Sequence, residues 1–223
     1  MEKVLVDQEI QSLDLVVKEG EKASLRLAAF SCFPNAEINV KVEKNASFEG
    51  AFADFSPSGG TFHLHIHLVG EGASATWKSA SICSDAKKVF DTNLYHDVPV
   101  TEGTMENYGI VTDKGKLHFL GTSAIAQGAK GSSTRQSAKI IIFDENCDGR
   151  AAPILKIDEN DVKASHAAIV GKLNDEHIFY LCSRGLSEAE AKRLIILGYL
   201  KPIEEYFDDA LKARIDTAIE GGI

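Results

Sequence analysis

Nowhere in the 223 residues is there a run of the ~18 apolar residues that a membrane-spanning helix needs. The opening MEKVLVDQEIQSLDL carries charges through any stretch that would form the core of an export signal. A cytoplasmic protein without membrane contact is the expectation. Basic clusters are missing too. Lys and Arg number 24 against 33 Asp and Glu, a net charge of -9, and no Lys/Arg run exceeds a pair. Neutralising phosphates requires a concentrated basic surface, so nucleic acid is not an expected partner. Cysteine is scarce and scattered: Cys32, Cys83, Cys147 and Cys182 form no CxxC and keep no zinc-type spacing to histidine. Reduced thiols and no tightly bound cofactor follow from that. Neither GxxxxGK[ST] nor GxGxxG occurs, and the Gly-Ala-Lys-Gly-Ser-Ser at 128–133 lacks the first pattern's spacing. With no GxSxG elbow either, no catalytic residue is assigned and no enzyme is expected.

What the chain does contain is short apolar runs of strand length, broken by Gly, Asn, Asp and Ser. SLRLAAF, INVKV, TFHLHIHLV, KLHFLG, KIIIF and PILKI run from about Gly20 to Leu173 with period-two alternation, which predicts a mainly β body over 20–173 behind a lead-in at 1–19. The single Asp-Gly, Asp148-Gly149, reads as a corner between stacked coils rather than a two-residue hairpin, because ArgAlaAlaPro follows it. Repetition is loose, so on residues alone a sandwich and a β-helix stand nearly level.

After Leu173 the period becomes 3.6, and a helical segment is expected over 174–223. Asn174 caps a first helix, with Asp175 and Glu176 in its first turn and Gly185 behind it. Ser187 and Glu190 form a capping box for a second helix that should stop at Gly198. A third starts near Pro202 and places Ile203, Phe207, Ala210, Leu211, Ile215 and Ala218 on one stripe. These helices carry more apolar and aromatic area than they can bury among themselves. Part of it is expected to cover the open end of the β body, and the rest to meet a partner by groove packing.

Two stretches, DENDVKASHAAIVGKL and IFYLCSRGLSEAEAKRLIILGYLKPI, together with GIVTDKGKLHFLGTSAIAQGAKG upstream, resemble the SufB and SufD scaffold subunits of the SUF iron-sulfur cluster assembly system. The resemblance implies a right-handed parallel β-helix (solenoid) with about three short C-terminal helices, and it decides between the two β architectures. It also implies a non-enzymatic scaffold that docks a SufC-like ABC-type ATPase through those helices, with Phe179, Tyr180, Arg184 and Leu186 at the contact. The implied partners are a SufB-like subunit or a second copy of the chain, with a transient iron-sulfur cluster at the interface between the two. The Ser165-His166 pair matches the family's Ser-His, so His166 is the candidate metal ligand for cluster assembly. Its position is expected at a strand-to-helix junction, and a neutral imidazole suits iron or zinc. Departures point toward SufD rather than SufB. Ala167 stands where SufB-type chains have glutamate, Ala164 where cysteine is common, and ThrArgGlnSerAla where a sulfur-accepting cysteine would align. Without those thiolates the chain is poorly equipped to hold a cluster unaided. Family members usually carry a longer N-terminal region ahead of the β body, and about twenty residues stand there in this sequence.

Cys147 sits among Asp144, Glu145 and Asp148, which argues against a reactive thiol, and Cys182 reads as a packing residue. The competing reading is a stand-alone β-solenoid or sandwich that binds a metal or small ligand through surface histidines. His63, His65 and His67 alternate with Leu64, Ile66 and Leu68 and project from one strand face. The first and third lie roughly 13 Å apart along a strand, too far to share one ion comfortably.

Overall fold

The computed structural model describes residues 1–221. Thirteen strands alternate between two wholly parallel sheets. The odd strands, β1 (Glu2–Val6), β3 (Lys22–Ala29), β5 (Ser47–Asp54), β7 (Ser74–Ser84), β9 (Glu102–Thr112), β11 (Ser133–Ile142) and β13 (Lys163–Lys172), form one sheet in that order. The even strands, β2 (Ser12–Val17), β4 (Glu37–Val42), β6 (Gly60–Leu68), β8 (Lys87–His96), β10 (Lys116–Ile125) and β12 (Asp148–Ile157), form the other. Each coil thus gives one strand to each sheet and stacks on the last, as a β-solenoid. A sandwich is ruled out, because no strand pairs with its sequence neighbour.

Register turns the period-two pattern into columns. Ala23, Leu25 and Leu27 of β3 stand opposite Phe48, Gly50 and Phe52 of β5, which stand opposite Ala75, Trp77 and Ser79 of β7. All of these side chains face inward. In the middle coils the column is aromatic: Phe52 and Phe62 have ring centroids 4.9 Å apart, Phe62 stacks on Trp77 at 5.7 Å, and Phe90 meets Phe119 edge-on at 5.3 Å. Gly50 makes room for the indole, since a Cβ there would lie 2.4 Å from Trp77 Cε3.

One interior pair is ionic. The fully buried Lys88 Nζ donates to Asp54 Oδ2 at 2.7 Å, to Ser56 O at 2.7 Å and to Ile82 O at 2.8 Å, which uses all three of its protons. Asp54 also accepts from the Ser56 and Ser81 hydroxyls at 2.7 and 2.6 Å. The charges tie β5, β7 and β8 together at one corner, and every polar atom in the group has a partner.

Three expectations require correction. The stretch 1–19 is no lead-in: β1 pairs with β3 and β2 with β4, and Leu13, Leu15 and Val17 continue the inward column of Ile38, Val40 and Val42. Charges at outward positions such as Asp14 mask that alternation in the sequence. Asp148-Gly149 opens β12 instead of turning a corner, and the corner lies just before it, where Cys147 N donates to Asp144 O. Finally, the helical segment divides differently. The first helix, α1 (Asp175–Ser183), is capped by Asn174 Oδ1 on Glu176 N at 2.8 Å, and the capping box of Ser187 and Glu190 opens α2 as read. But α2 spans Glu188–Leu200 and runs straight through Gly198, whose cost of about 1 kcal/mol the packing of Ile196 and Leu200 outweighs. Pro202 starts only a 3-10 turn over Lys201–Tyr206, Phe207 follows in extended backbone, and α3 occupies Asp209–Gly221.

These helices lie on the side of the solenoid, not over its end. The outer face of the odd-strand sheet carries Ala28, Ala53 and Ala80 in register, with Ala51, Ile82 and Ile110 beside them. The small residues leave a shallow trough. Ile196, Leu200, Ile203, Phe207, Leu211, Ile215 and Ile219 fill it. Arg26 fastens the edge, donating from Nε to Tyr206 O at 2.7 Å beneath the Tyr206 ring, and Arg214 binds Asp7 Oδ2 at 2.9 Å.

The buried ion pair makes a stability prediction. Lys88→Met leaves the Asp54 carboxylate buried without its counter-charge and should cost roughly 3–5 kcal/mol in urea unfolding. Adding Asp54→Leu to that variant should recover part of the loss, as a double-mutant cycle would measure.

Candidate functional site

Because the helices pack on the flank, no strand among the described residues follows the last coil. β13 is hydrogen-bonded to β11 on one side only, and β12 closes the even-strand sheet. Both therefore present a free strand edge, which in a protein without a covering element is a template for pairing with another chain. Every residue of β13 except Gly171 is exposed. Pro153 fits β12 for the same reason, since an outer strand tolerates a residue without an amide proton.

His166 lies in the middle of β13, not at the strand-to-helix junction, because the strand continues to Lys172 before Asn174 caps α1. Its register partner is Gln136, and Thr134, Gln136, Ala138 and Ile140 are the buried, inward-facing residues of β11. Ala164, His166, Ala168 and Val170 accordingly continue the interior column onto the open coil. The imidazole sits on the exposed floor of the solenoid's end, between two alanines. Sequence reasoning did not single out the exposed apolar residues of the last coil, Ile154, Ile169 (52% exposed) and Val170, of which Val170 shares the column of His166 while Ile169 lies off it, opposite Lys139. The run Ala167-Ala-Ile-Val would have revealed them had its strand been known to be the last.

On α1, Phe179 is 75% and Tyr180 56% exposed, and no residue of the helix is buried. The Arg184 guanidinium lies 5.3 Å from the Tyr180 ring centroid, and Phe179, Tyr180 and Arg184 are all exposed. Leu186 is half-buried, as is Cys182. On α2, Leu194 is 51% exposed and borders a groove with Leu197, Gly198 and Pro202, a further apolar surface that the sequence did not mark.

The surface histidines do not converge. Among the described residues no three His, Cys, Asp or Glu side chains are placed to hold a metal. His63 Nδ1 instead meets Asp91 Oδ2 at 3.2 Å, and His67 Nδ1 meets Asp97 Oδ2 at 3.0 Å while stacking on Tyr95 at 4.3 Å. Parallel register explains this, since it sets Asp91, Asn93 and Tyr95 of β8 opposite His63, His65 and His67. The four cysteines are free. Burial pushes the Cys147 thiol up, with the Asp144 and Asp113 carboxylates adding to it, and burial likewise raises Cys83. Neither is an activated nucleophile.

Toward the open end the interior changes from aromatic to polar. Ser79 Oγ donates to Asn107 Oδ1 at 2.6 Å, and Thr92, Ser123 and Gln136 are buried nearby. The fully buried His96 places Nδ1 2.7 Å from Thr101 Oγ1. Burial pushes its pKa down to about 4, against a smaller opposing pull from Asp97. An unfolded imidazole titrates near 6.5. Between pH ~6.5 and ~4 the unfolded chain therefore takes up a proton that the folded chain refuses. Stability should be complete above that window and fall through it by up to roughly 3 kcal/mol. Urea unfolding of parent and His96→Gln at pH 7.5 and 5 checks this, the variant losing less between the two.

Known proteins place this geometry. Residues 22–199 match the family described as SUF system FeS cluster assembly, SufBD core domain. The iron-sulfur cluster assembly protein SufD of Bacillus subtilis is 33% identical over 156 residues, 69% of this chain and 36% of that protein. The SufD of Escherichia coli is 32% identical over 159 residues, 68% of this chain and 38% of that protein. A SufBD family protein of Staphylococcus saprophyticus is 29% identical over 136 residues. The chain spans little more than a third of the length of these SufD relatives. With the family's core domain matched across most of its coils and into its second helix, the chain belongs to the SufB/SufD family and is SufD-like.

Proposed function

We propose that this chain is a non-enzymatic scaffold of SUF-type iron-sulfur cluster assembly that pairs through its open last coil and docks an ABC-type, SufC-like ATPase on α1. The observation that carries the reading is the uncovered end: two free strand edges, Ile169 and Val170 exposed, and His166 on the interior column with no coil above it. A SufB-like chain, or a second copy, laid against that end would bury the apolar residues and satisfy the edge amides.

His166 would then stand inside the joint, where a neutral imidazole is a competent ligand for iron in transit. With Ala164 and Ala167 beside it, the chain offers no thiolate there. The sulfur ligands that a cluster needs would come from a SufB-like partner in this arrangement. The docking half of the reading is supported by α1, whose Phe179, Tyr180 and Arg184 stand clear of the body. Aromatic and arginine side chains in such a cluster are the residue types that dominate binding energy. Movement of a docked ATPase would be transmitted through the short link Leu173-Asn174 to β13, the strand that carries His166.

Three experiments test this. Coexpressed with a SufB-like subunit, the chain should elute in light scattering at the mass of a pair, and Ile169→Asp with Val170→Asp should return it to a single chain while its circular dichroism stays unchanged. An unaltered pair mass contradicts the open-end joint. In a pull-down with the cognate ATPase, Phe179→Ala with Tyr180→Ala should weaken capture at least ~10-fold, as losing about 2 kcal/mol at a hot spot does. His166→Ala should leave pairing and docking intact and lower iron-sulfur enzyme maturation in cells. Full maturation would remove His166 from the mechanism.

A further inference from the structure

Three charged side chains meet where the 3-10 turn lies against α3, and two of them have the same sign. Lys201 Nζ, at the start of the turn, stands 2.9 Å from Asp216 Oδ1 on α3 and 3.8 Å from Glu204 Oε2. Glu204 is buried, whereas Lys201 reaches solvent. Its neighbour Ile203, and Phe207 beyond, are anchored in the trough, which holds the turn down beside α3. The Glu204 and Asp216 carboxyl groups come within hydrogen-bonding reach of each other.

Two carboxylates at such range repel, and the more buried of them keeps a proton more readily. Burial first, and then the Asp216 carboxylate, push the Glu204 carboxyl above the usual glutamate range, against opposing pulls from Lys201 and Lys212. Asp216 moves the other way, held low by its hydrogen bonds with Lys201 and Glu204. The protonated Glu204 hydroxyl is thus the donor and the Asp216 carboxylate the acceptor. The other charges at this joint have their own partners. Lys212 meets Asp209 at 3.2 Å, Arg193 of α2 pairs with Glu220, and Glu220 also acts on Lys201. Toward the sheet, Glu49, Glu106, Glu205 and Arg26 act on Tyr206, at the far end of the turn. We propose that Glu204 and Asp216 form a proton-operated latch between the 3-10 turn and α3, shut while Glu204 holds its proton and slack once the proton is lost.

With the proton in place, a charge-assisted O–H···O bond joins turn to helix, and Lys201 neutralises the remaining carboxylate. Without it, two carboxylates face each other and share one ammonium. Folded Glu204 binds its proton more tightly than unfolded Glu204. Its contribution is therefore complete below the ordinary value of about 4.5 and is lost as the pH rises through the folded value. Asp216 contributes in the opposite sense, fully above its ordinary value of about 3.8 and less as the pH falls through its lowered one. Mildly acidic conditions thus shut the latch and rising pH slackens it. The turn also forms one wall of the groove bordered by Leu194, Leu197 and Pro202, so the latch sets how firmly that wall is held. The device is independent of what the open coil binds.

His96 shifts global stability in the opposite direction over part of the same range, so local readings isolate the latch. In the full chain with carbon-13-labelled glutamate, the Glu204 carboxyl resonance should titrate above those of the exposed glutamates, and Asp216→Asn should lower its midpoint. Phe207 N–H, which donates to Glu204 O at 2.9 Å, reports on the turn by amide exchange. Its protection factor should fall about 2–10-fold between pH 5 and 7.5, as losing one hydrogen bond does. Glu204→Gln, which donates to Asp216 through an amide with no titratable proton, should keep the same protection at both pH values. Circular dichroism of both variants should match the parent. The proposal is overturned if Glu204 titrates with the exposed glutamates or if Asp216→Asn leaves its midpoint unmoved. Phe207 protection that ignores pH in the parent, or that falls equally in Glu204→Gln, overturns it too.

Discussion

Register between parallel coils is the constraint on which the remainder of the molecule depends. Because each strand pairs with the one two places away in sequence, a residue's neighbours along a column come from segments about thirty positions apart. A column therefore has to be filled jointly. Trp77 is admitted because Gly50 precedes it in the same column, and Tyr108 stands on the outer face at the point where the alanine column Ala28, Ala53, Ala80 ends. Any residue that shifted a strand by one position would turn its apolar set outward and set its charges against the aromatic stack. The Lys88–Asp54 pair stiffens this against slippage, since its hydrogen bonds close only when β5, β7 and β8 are aligned as they are. Whether a buried ion pair adds net stability over an apolar replacement is a separate matter from the register it enforces.

The same stacking logic produces the open end. A coil satisfies its backbone from both sides only while another follows, so a solenoid must finish either with a cap or with an interface. Here the helices that would serve as a cap are drawn to the flank by the trough of small residues on the odd-strand sheet. Moving them over the end would expose Ile110, Ile82 and the alanines and take seven large apolar helix residues out of the trough that fits them. The flank wins on area, and the end stays bare. That division also frees α1, which contacts α2 and otherwise projects.

Much of this was legible in the chain, and the failures share a cause. Period-two runs revealed β3, β4, β6, β10, β11 and β12, and side chains at Asn174, Ser187 and Glu190 revealed the helix starts because a cap is a local bond between near neighbours. What depended on distant partners did not show. β1 and β2 hold strand form by pairing with β3 and β4, which their own charged sequences do not announce. Gly198 reads as a stop signal, yet the helix continues because Ile196 and Leu200 are anchored in a trough formed by residues more than eighty positions away. His166 was recognisable by its neighbours, but its place on the interior column follows from Gln136, a residue on another coil.

The seven histidines show how place rather than residue type assigns a role. His63, His67 and His118 each face a carboxylate, an arrangement that holds the ring in position and occupies a nitrogen. His96 is enclosed, and its low basicity keeps it neutral across the physiological range. Each of these environments commits the imidazole to the fold. His166 is the histidine that the register carries to a surface still lacking its neighbour, on a column that everywhere else is buried. A metal ligand must be able to exchange a solvent contact for a metal contact without first breaking a packed core. On that ground the proposed encounter with iron belongs at the end of the rod rather than on its histidine-rich flank.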